Sequence, residues 1–166
     1  MFCEDALLKI IQRQTEGLMY HDEMTDYYAF LHLDVLKDLH HKQTKEELCS
    51  LRKSKCDYIK TFQMLPMYSA SDPAVIPKEW KNKTSAEIDN SSLKILIQQS
   101  LDGYLSWELE TCEIYKRMAT VFKDNMNFHL YRKACDLIEE VQCEIHKVSK
   151  MIVDAASYNY EPSYFK

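Results

Sequence analysis

Histidine and glutamate side chains interrupt the apolar stripes of several predicted helices. His21 and His32 share a stripe of the first helical segment. Glu108 and Glu144 lie on inner stripes of two later segments. Each residue is near the middle of its segment, so in a helical bundle the four side chains could share one layer. A carboxylate buried in such a layer must be paired, hydrogen-bonded or bound to a metal.

This polar set has two interpretations. In the first, it is a site for a metal or a small ligand. In the second, Glu108 and Glu144 flank the core and face water or a partner subunit, while His21 bonds to a tyrosine or a carboxylate. The residue types leave both open, because imidazole and carboxylate groups serve metal sites and ordinary polar networks alike.

Nucleophilic chemistry has weaker support in the sequence. The six cysteines include no C-x-x-C pair, and nothing around Cys143, three residues before His146, marks a lowered thiol pKa. Most cysteines fall at apolar helical positions, so we expect reduced thiols in a cytoplasmic protein. The adjacent His40 and His41, at a predicted helix end, cannot face the same way and are not expected to chelate. No catalytic residue is predicted, which favours a role other than catalysis.

The composition is typical of one globular helical domain. The chain has 166 residues, 46% of them hydrophobic and 28% charged, with only two glycines and four prolines. So few turn-forming residues disfavour an all-β fold. The net charge is -5 and the basic residues are scattered, which argues against nucleic-acid binding through phosphates. No apolar run approaches the roughly 18 residues of a membrane span, so no membrane partner is expected.

Apolar spacing of three and four residues predicts four helices. Thr44 and Glu47 match a capping box, so the second helix is expected to begin near Lys45. Asp124 and Asn125 interrupt the pattern between the last two helices. The predicted helices cover residues 4–39, 45–64, 93–122 and 127–156.

The connections between these helices predict the topology. The first two and the last two helices are joined by a few residues, so each pair must be antiparallel. The middle connection, at about residues 65–83, could span the bundle if extended, at about 3.3 Å per residue. We therefore predict an all-α four-helix bundle, a single domain over residues 1–166, with a long crossover between helices two and three. Ile76 and Trp80 are expected to anchor the crossover, and the aromatic tail at 157–166 is expected to dock.

Four stretches carry a resemblance to known proteins: HDEMTDYYAFL at 21–31, EELCSLRK at 46–53, IPKEW at 76–80 and WELET at 107–111. They resemble a group of small bacterial and phage-borne ferritin-like proteins with no assigned activity. The resemblance covers most of the chain in order, and one long crossover between two hairpins is also the ferritin-like arrangement. The wider ferritin-like superfamily implies a di-metal carboxylate site, oxygen chemistry or iron storage.

The chain departs from the metal motif of that superfamily. Its di-metal sites use Glu-x-x-His pairs, and none of the six histidines here has a glutamate three residues before it. The first hypothesis is therefore a ferritin-like protein without the standard di-iron site that forms homo-oligomers or binds a partner. The alternative is a divergent iron- or manganese-binding protein, with ligands drawn from His21, Glu47, Glu108, Glu139 and Glu144.

Overall fold

The computed structural model describes residues 1–73, 75 and 83–166, and most of them lie in four long helices. Helix α1 covers Cys3–Phe30, α2 covers Asp34–Phe62, α3 covers Asn90–Asp124 and α4 covers Phe128–Ser157. Two short 3-10 turns, Ser85–Glu87 and Pro162–Tyr164, precede α3 and follow α4. The four predicted helices are confirmed, with a different boundary between the first two.

The turn between α1 and α2 comes well before the predicted boundary, which was wrong. His32 adopts a left-handed backbone conformation with φ of 56°, and the Leu33 N–H donates to the Tyr28 carbonyl at 3.0 Å. Leu31 and Leu36 are buried on either side of the turn, so the apolar spacing runs through it without a break. His32 itself is exposed and does not lie on an inner stripe.

The capping box predicted for the second helix is not formed. Thr44 lies inside α2, where its hydroxyl donates to the His40 carbonyl at 3.0 Å. A threonine that bonds back to the preceding turn is compatible with a continuing helix. Glu47 packs against α1 instead of reaching back to a helix start.

Helices α3 and α4 begin at side-chain caps. The Asp89 carboxylate accepts from the Ser92 N–H at 2.7 Å, and the Asn127 side chain accepts from the Leu130 N–H at 3.2 Å. These bonds satisfy backbone donors that the first turn of a helix leaves free. Both helices therefore begin within a few residues of the positions that the sequence predicted.

Side-chain contacts show how the helices run. Helix α1 is antiparallel to both α2 and α3, so α2 and α3 point the same way and the connection between them crosses the length of the bundle. The contacts that fix these directions are Glu4 with Tyr58, His21 with His40, Arg13 with Thr111 and Tyr28 with Ser100.

The crossover follows α1. Thr15 donates to the Tyr68 hydroxyl at 3.1 Å, the Ser71 N–H donates to Glu16 at 3.1 Å, and the Val75 N–H donates to Glu23 at 3.2 Å. These contacts advance along α1 in chain order. The predicted anchors Ile76 and Trp80 lie outside the described residues.

Two apolar clusters fill opposite halves of the bundle. One includes Ile10 and Phe122, and the other includes Tyr28, Ile97 and Leu101. No helix among the described residues combines the length and apolar character that crossing a membrane requires.

The C-terminal tail packs on the second of these clusters. Phe165 is buried there, and its carbonyl accepts from the Val35 N–H at 3.0 Å. Glu161 pairs with Lys94 at 2.7 Å. The tail is therefore tied to α2 and α3.

Candidate functional site

A layer of polar side chains separates the two apolar clusters, and every long helix contributes to it. On α4, for example, Glu144 lies between Val141 of one cluster and Val148 of the other. This polar layer consists of Gln14, His21, His40, Gln43, Glu47, Glu108 and Glu144. The fold thus gathers acids and imidazoles at the middle of the bundle.

Four of the five predicted ligand residues lie in the polar layer. His21 and Glu108 are 0% and 4% exposed, and the Glu144 side chain is 13% exposed. Glu139 does not join them and is exposed. Its offset from Glu144 corresponds to about 140° around a helix of 3.6 residues per turn, which turns it away. Its neighbour Glu140 is also exposed but lies close enough to raise the pKa of Glu47.

Two buried imidazoles lie at the centre of the layer. The Nδ1 atoms of His21 and His40 are 2.9 Å apart, within hydrogen-bond distance. The Nε2 atom of His21 is 3.7 Å from Oε1 of Glu108, which is too long for a hydrogen bond. The hydrogen-bond partner of His21 is thus a second histidine rather than the expected tyrosine or carboxylate, and Glu108 lies inside the bundle rather than facing water.

Glu47 reaches the polar layer across the only glycine of α1. A Cβ atom at Gly17 would lie 3.3 Å from Cδ of Glu47 and 3.4 Å from its Oε1. The missing side chain leaves room for the carboxylate to lie against the backbone of α1.

A cavity of about 420 Å³ opens between α2 and α4, with the polar layer at its inner end. Residues of α1 and α3 also line the cavity, including Gln14, Glu108 and Tyr115. The charged residues that line it are Glu46, Glu47, Glu108, Glu140 and Glu144 against Lys53 and Lys147. This excess of acids makes the cavity attractive to cations.

Burial and mutual repulsion alter the acidity of the layer. Burial, followed by repulsion from Glu144, raises the pKa of Glu108 to about 8. Burial, followed by repulsion from Glu108 and Glu140, raises the pKa of Glu47 to about 8 as well. In both cases burial is the larger cause of the raised pKa, and repulsion between neighbouring carboxyl groups adds to it. A cation among them would favour their ionised forms.

The imidazoles of the layer are neutral near pH 7. Burial lowers the pKa of His21 to about 3. Burial and then the nearby His21 ring lower the pKa of His40 well below its ordinary value. Neutral imidazole has one lone-pair nitrogen and is the form that binds metal ions.

Several buried polar atoms in and beside the layer have no hydrogen-bond partner. They are both amide atoms of Gln14, Nε2 of His21 and of His40, the Tyr104 hydroxyl and Oε2 of Glu144. Because an unpaired buried polar group is costly, such a gathering calls for bound water, an ion or a ligand.

The donor set fits a transition metal in type. Carboxylate oxygens with an imidazole nitrogen suit iron or manganese. Among the described residues, no three His, Cys, Asp or Glu side chains are close enough together, as oriented, to hold one metal ion. The glutamate side chains would therefore have to rotate toward a bound metal.

On the opposite side of the bundle, a buried arginine closes the contact between α1 and α3 at its own level, and two smaller cavities of about 200 and 290 Å³ open elsewhere along these two helices. Arg13 donates to Oγ1 of Thr111 at 2.8 Å and to the Trp107 carbonyl at 3.0 Å. Its guanidinium lies 3.5 Å from the centroid of the Trp107 ring, which stacks on Tyr20 at 4.7 Å. The cavity between α2 and α4 is therefore on the opposite side from this closed contact.

The sequence prediction missed His40 and Gln14. The misplaced helix boundary put His40 at a helix end and hid its relation to Glu47, which lies on the same face of α2 two turns later. The inward position of Gln14 could have been predicted from helical spacing, because it follows the buried Ile11 by three residues.

No protein-family model matches this chain, and no curated protein matches it. Solved structures do match, and one of them is a protein described as Chlorobium tepidum Ferritin. The superposition has a TM-score of 0.74 and covers 93% of this chain and 84% of that chain, at 16% sequence identity. The chain has a ferritin-like fold. The prediction of an all-α four-helix bundle of this type is confirmed, and at this identity the likeness shows the fold alone.

Proposed function

We propose that this ferritin-like bundle binds a divalent transition-metal cation, iron or manganese, in its polar layer. His21, Glu47, Glu108 and Glu144 would hold the metal, each from a different helix. Of the two functions that the sequence left open, this is the one that the interior of the bundle supports better.

One observation carries the proposal: the carboxyl groups of the layer, Glu108 buried and Glu47 and Glu144 half-buried, outnumber the cations near them. Arg13 lowers the pKa of Glu47 and of Glu108 to a lesser degree than burial raises it, and its hydrogen bonds go to Thr111, the Trp107 carbonyl and Glu110 instead. Lys147 bonds to only one oxygen of Glu144, and the other is buried without a partner. Buried charges in proteins are paired or coordinate metals. Glu47 and Glu108, with pKa values of about 8, keep their protons near pH 7 in place of a counter-charge. A divalent cation would displace these protons and pair with the carboxylates.

The residues of the layer would orient the metal and keep it partly dry. His21 presents a nitrogen and the glutamates present oxygens, a mixed set that suits iron and manganese better than calcium or magnesium. A bound iron or manganese ion supplies one-electron redox chemistry. The name of the structural neighbour, a ferritin, supports iron as the first metal to test.

The test compares the buried Glu108 of the polar layer with the exposed Glu139 of α4. Metal-free protein is titrated with Mn(II), Fe(II) and Co(II), and the melting temperature and the bound metal are measured. We expect a rise in melting temperature for the unaltered chain and no metal binding for Glu108→Gln. Glu139→Gln, at an exposed position, should bind metal like the unaltered chain.

The proposal fails if the unaltered chain retains no metal and shows no thermal shift with any of the three ions. It also fails if Glu139→Gln and Glu108→Gln lose binding equally, because the exposed residue cannot reach the layer.

A second proposal, self-association, is supported by one end of the bundle. The start of α1, the end of α2 and the turn between α3 and α4 meet there and expose apolar side chains. These are Met1, Phe2, Met64, Leu65, Met67, Met126 and Phe128. Exposed apolar clusters of this kind mark association surfaces. Light scattering should show an oligomer that Phe2→Ser with Phe128→Ser converts to monomer, and a monomer at all concentrations would contradict this second proposal.

A further inference from the structure

The contact between His21 and His40 joins two ring nitrogens of the same kind. Their Nδ1 atoms are 2.9 Å apart. A neutral imidazole has one N–H and one lone-pair nitrogen, so one ring must donate in this bond and the other must accept. The direction of the bond therefore decides which nitrogen of each ring is left for other partners.

Only one direction lets His21 bind a metal. If His21 donates from Nδ1, its Nε2 has a free lone pair; if His40 donates, Nε2 of His21 is protonated. That Nε2 atom is the one directed at Glu108, 3.7 Å from Oε1, and it has no hydrogen bond. The bond to His40 thus controls whether the nitrogen facing the acids can be a ligand.

Both rings are held in place by their surroundings. His21 and His40 are each 0% exposed. The Tyr104 ring lies 4.7 Å from the His40 ring and 5.3 Å from the His21 ring, and Tyr20 packs edge-on to His21 at 5.1 Å. Ring rotation would therefore disturb the packing of several aromatic side chains.

The other nitrogen of His40 lies in the same group of rings as a second unpaired polar atom. When Nδ1 of His40 accepts, its Nε2 carries the proton. Nε2 of His40 and the Tyr104 hydroxyl are both buried without a partner, and the two rings are adjacent.

We propose that His40 is a positioning residue for the metal site. By accepting a hydrogen bond at Nδ1, it keeps the proton of His21 on Nδ1 and directs the Nε2 lone pair of His21 at a cation among Glu47 and Glu108. His40 thereby makes the site prefer ions that favour nitrogen ligands, such as Co(II), Zn(II) and Fe(II), over Mg(II) and Ca(II). This inference rests on the proposed metal site. It adds His40 to the site, and it adds a preference among metal ions that the ligands alone do not explain.

The test compares two replacements of His40 in the full chain. Asn places an amide oxygen near the position of Nδ1 and retains the acceptor, whereas Leu fills the space without one. We expect His40→Leu to weaken Co(II) and Zn(II) binding by about 10–100-fold, as for loss of a group that orients a metal-bound histidine, and to leave Mg(II) binding unchanged. His40→Asn should recover most of the loss. Calorimetry gives the affinities, and circular dichroism checks that each variant is folded.

A second measurement needs no variant. In nitrogen-15 NMR spectra of the unaltered chain with Zn(II), His21 should be protonated at Nδ1 and His40 at Nε2. A His21 ring protonated at Nε2 with zinc bound would overturn the inference, whether or not His40→Leu folds.

The outcomes separate this inference from the function on which it rests. If Glu108→Gln loses Co(II) but His40→Leu binds it like the unaltered chain, the metal site stands and the role of His40 is wrong. The role is also wrong if His40→Asn is as weak as His40→Leu. If the unaltered chain binds none of Mn(II), Fe(II) and Co(II), the metal site itself is wrong.

Discussion

Along the contact between α1 and α3, Arg13 bonds to Thr111 and stacks on Trp107, whereas between α2 and α4 a cavity of about 420 Å³ lies open. Both contacts flank the same polar layer. The first supplies a buried cation with satisfied donors, and the second presents acids with raised pKa values, Glu47 and Glu108.

This difference supports the α2–α4 side as the place of the proposed metal site. Here the closed contact holds the buried arginine, and the open one is left with unpaired polar atoms such as those of Gln14. The asymmetry of charge, more than the presence of acids, marks the α2–α4 side as the candidate site.

Removing the Arg13 cation from the closed contact should cause the largest change in stability. Arg13→Ala loses hydrogen bonds to Thr111 and the Trp107 carbonyl, and the stacking on the Trp107 ring. We expect the free energy of unfolding to fall by about 2–4 kcal/mol, measured by urea denaturation. Glu110→Gln is the control, because its side chain is 65% exposed and such pairs contribute about 0–1 kcal/mol. Equal effects of the two changes would show that the arginine is not buried as described.

The raised pKa values of the acids at the open contact should appear in the pH dependence of stability, measured without metal. Glu47 and Glu108 have pKa values of about 8 in the folded chain, against 4.5 ordinarily. Between these values the folded chain keeps protons that the unfolded chain releases, so stability falls as pH rises toward 8. His21, with its pKa lowered to about 3, and His40 act in the opposite direction and add stability as pH rises to about 6.5.

The net expectation is a plateau near pH 5–6.5 and a decline from there to about pH 8. Glu108→Gln removes one of the two raised carboxyls. It should stabilise the chain above pH 8 by about 1–3 kcal/mol, as for removing an unpaired buried charge, and have little effect near pH 5. Thermal melts with chelator at both pH values test this. A Glu108→Gln effect that does not vary with pH would mean that the carboxyl does not titrate in the buried layer.

The two glycines of the chain offer a smaller, matched comparison. A Cβ at Gly103 would meet nothing within 4 Å, whereas one at Gly17 would press on the Glu47 carboxylate. Gly103→Ala should raise stability by about 0.5–1 kcal/mol through helix propensity. Gly17→Ala should gain less and should weaken Co(II) binding. If both substitutions raise stability equally and leave the Co(II) affinity unchanged, the position of the Glu47 carboxylate does not depend on the space beside Gly17.

The smallest effect is expected at the outer end of the open contact, where Lys133 on α4 pairs with Asp57 on α2. The two side chains are 40% and 15% exposed. Lys133→Met should lower stability by about 0.2–1 kcal/mol, less in high salt. Lys42→Met, which breaks an exposed pair within α2, should cause no measurable change. A larger loss for Lys42→Met would contradict the description of this contact.

The sequence was sufficient to predict the starts of the helices that carry polar caps. It was not sufficient to predict the turn between α1 and α2. Asp124 and Asn125 marked the break before α4, and its start at Asn127 has a side-chain bond to confirm it. The turn after Phe30 contains no glycine, proline or asparagine, and His32 adopts the left-handed conformation without one. No local rule identifies such a turn, because it depends on burying the leucines around it.

The candidate site was predictable in part. His21 and Glu108 stand out because each is polar on an apolar stripe. His40 could not be found once the helix boundary was misplaced, because its face is defined only when α2 extends back to Asp34. Glu139 is exposed and Glu144 points inward because of the way α4 is rotated about its own axis. Several acidic residues close together in the sequence do not show which of them faces the core.

The long crossover also has a consequence for assembly from fragments. It joins two hairpins, one supplying His21 and Glu47 and the other Glu108 and Glu144. Neither hairpin alone contains more than half of the proposed ligand set, so a metal would act as a cross-link between them. If the chain were cleaved within the crossover, the two pieces would associate through the α1–α3 contact, and bound metal would tighten that association by mass action. Complementation between such fragments would then report metal binding directly, with no need for a catalytic assay.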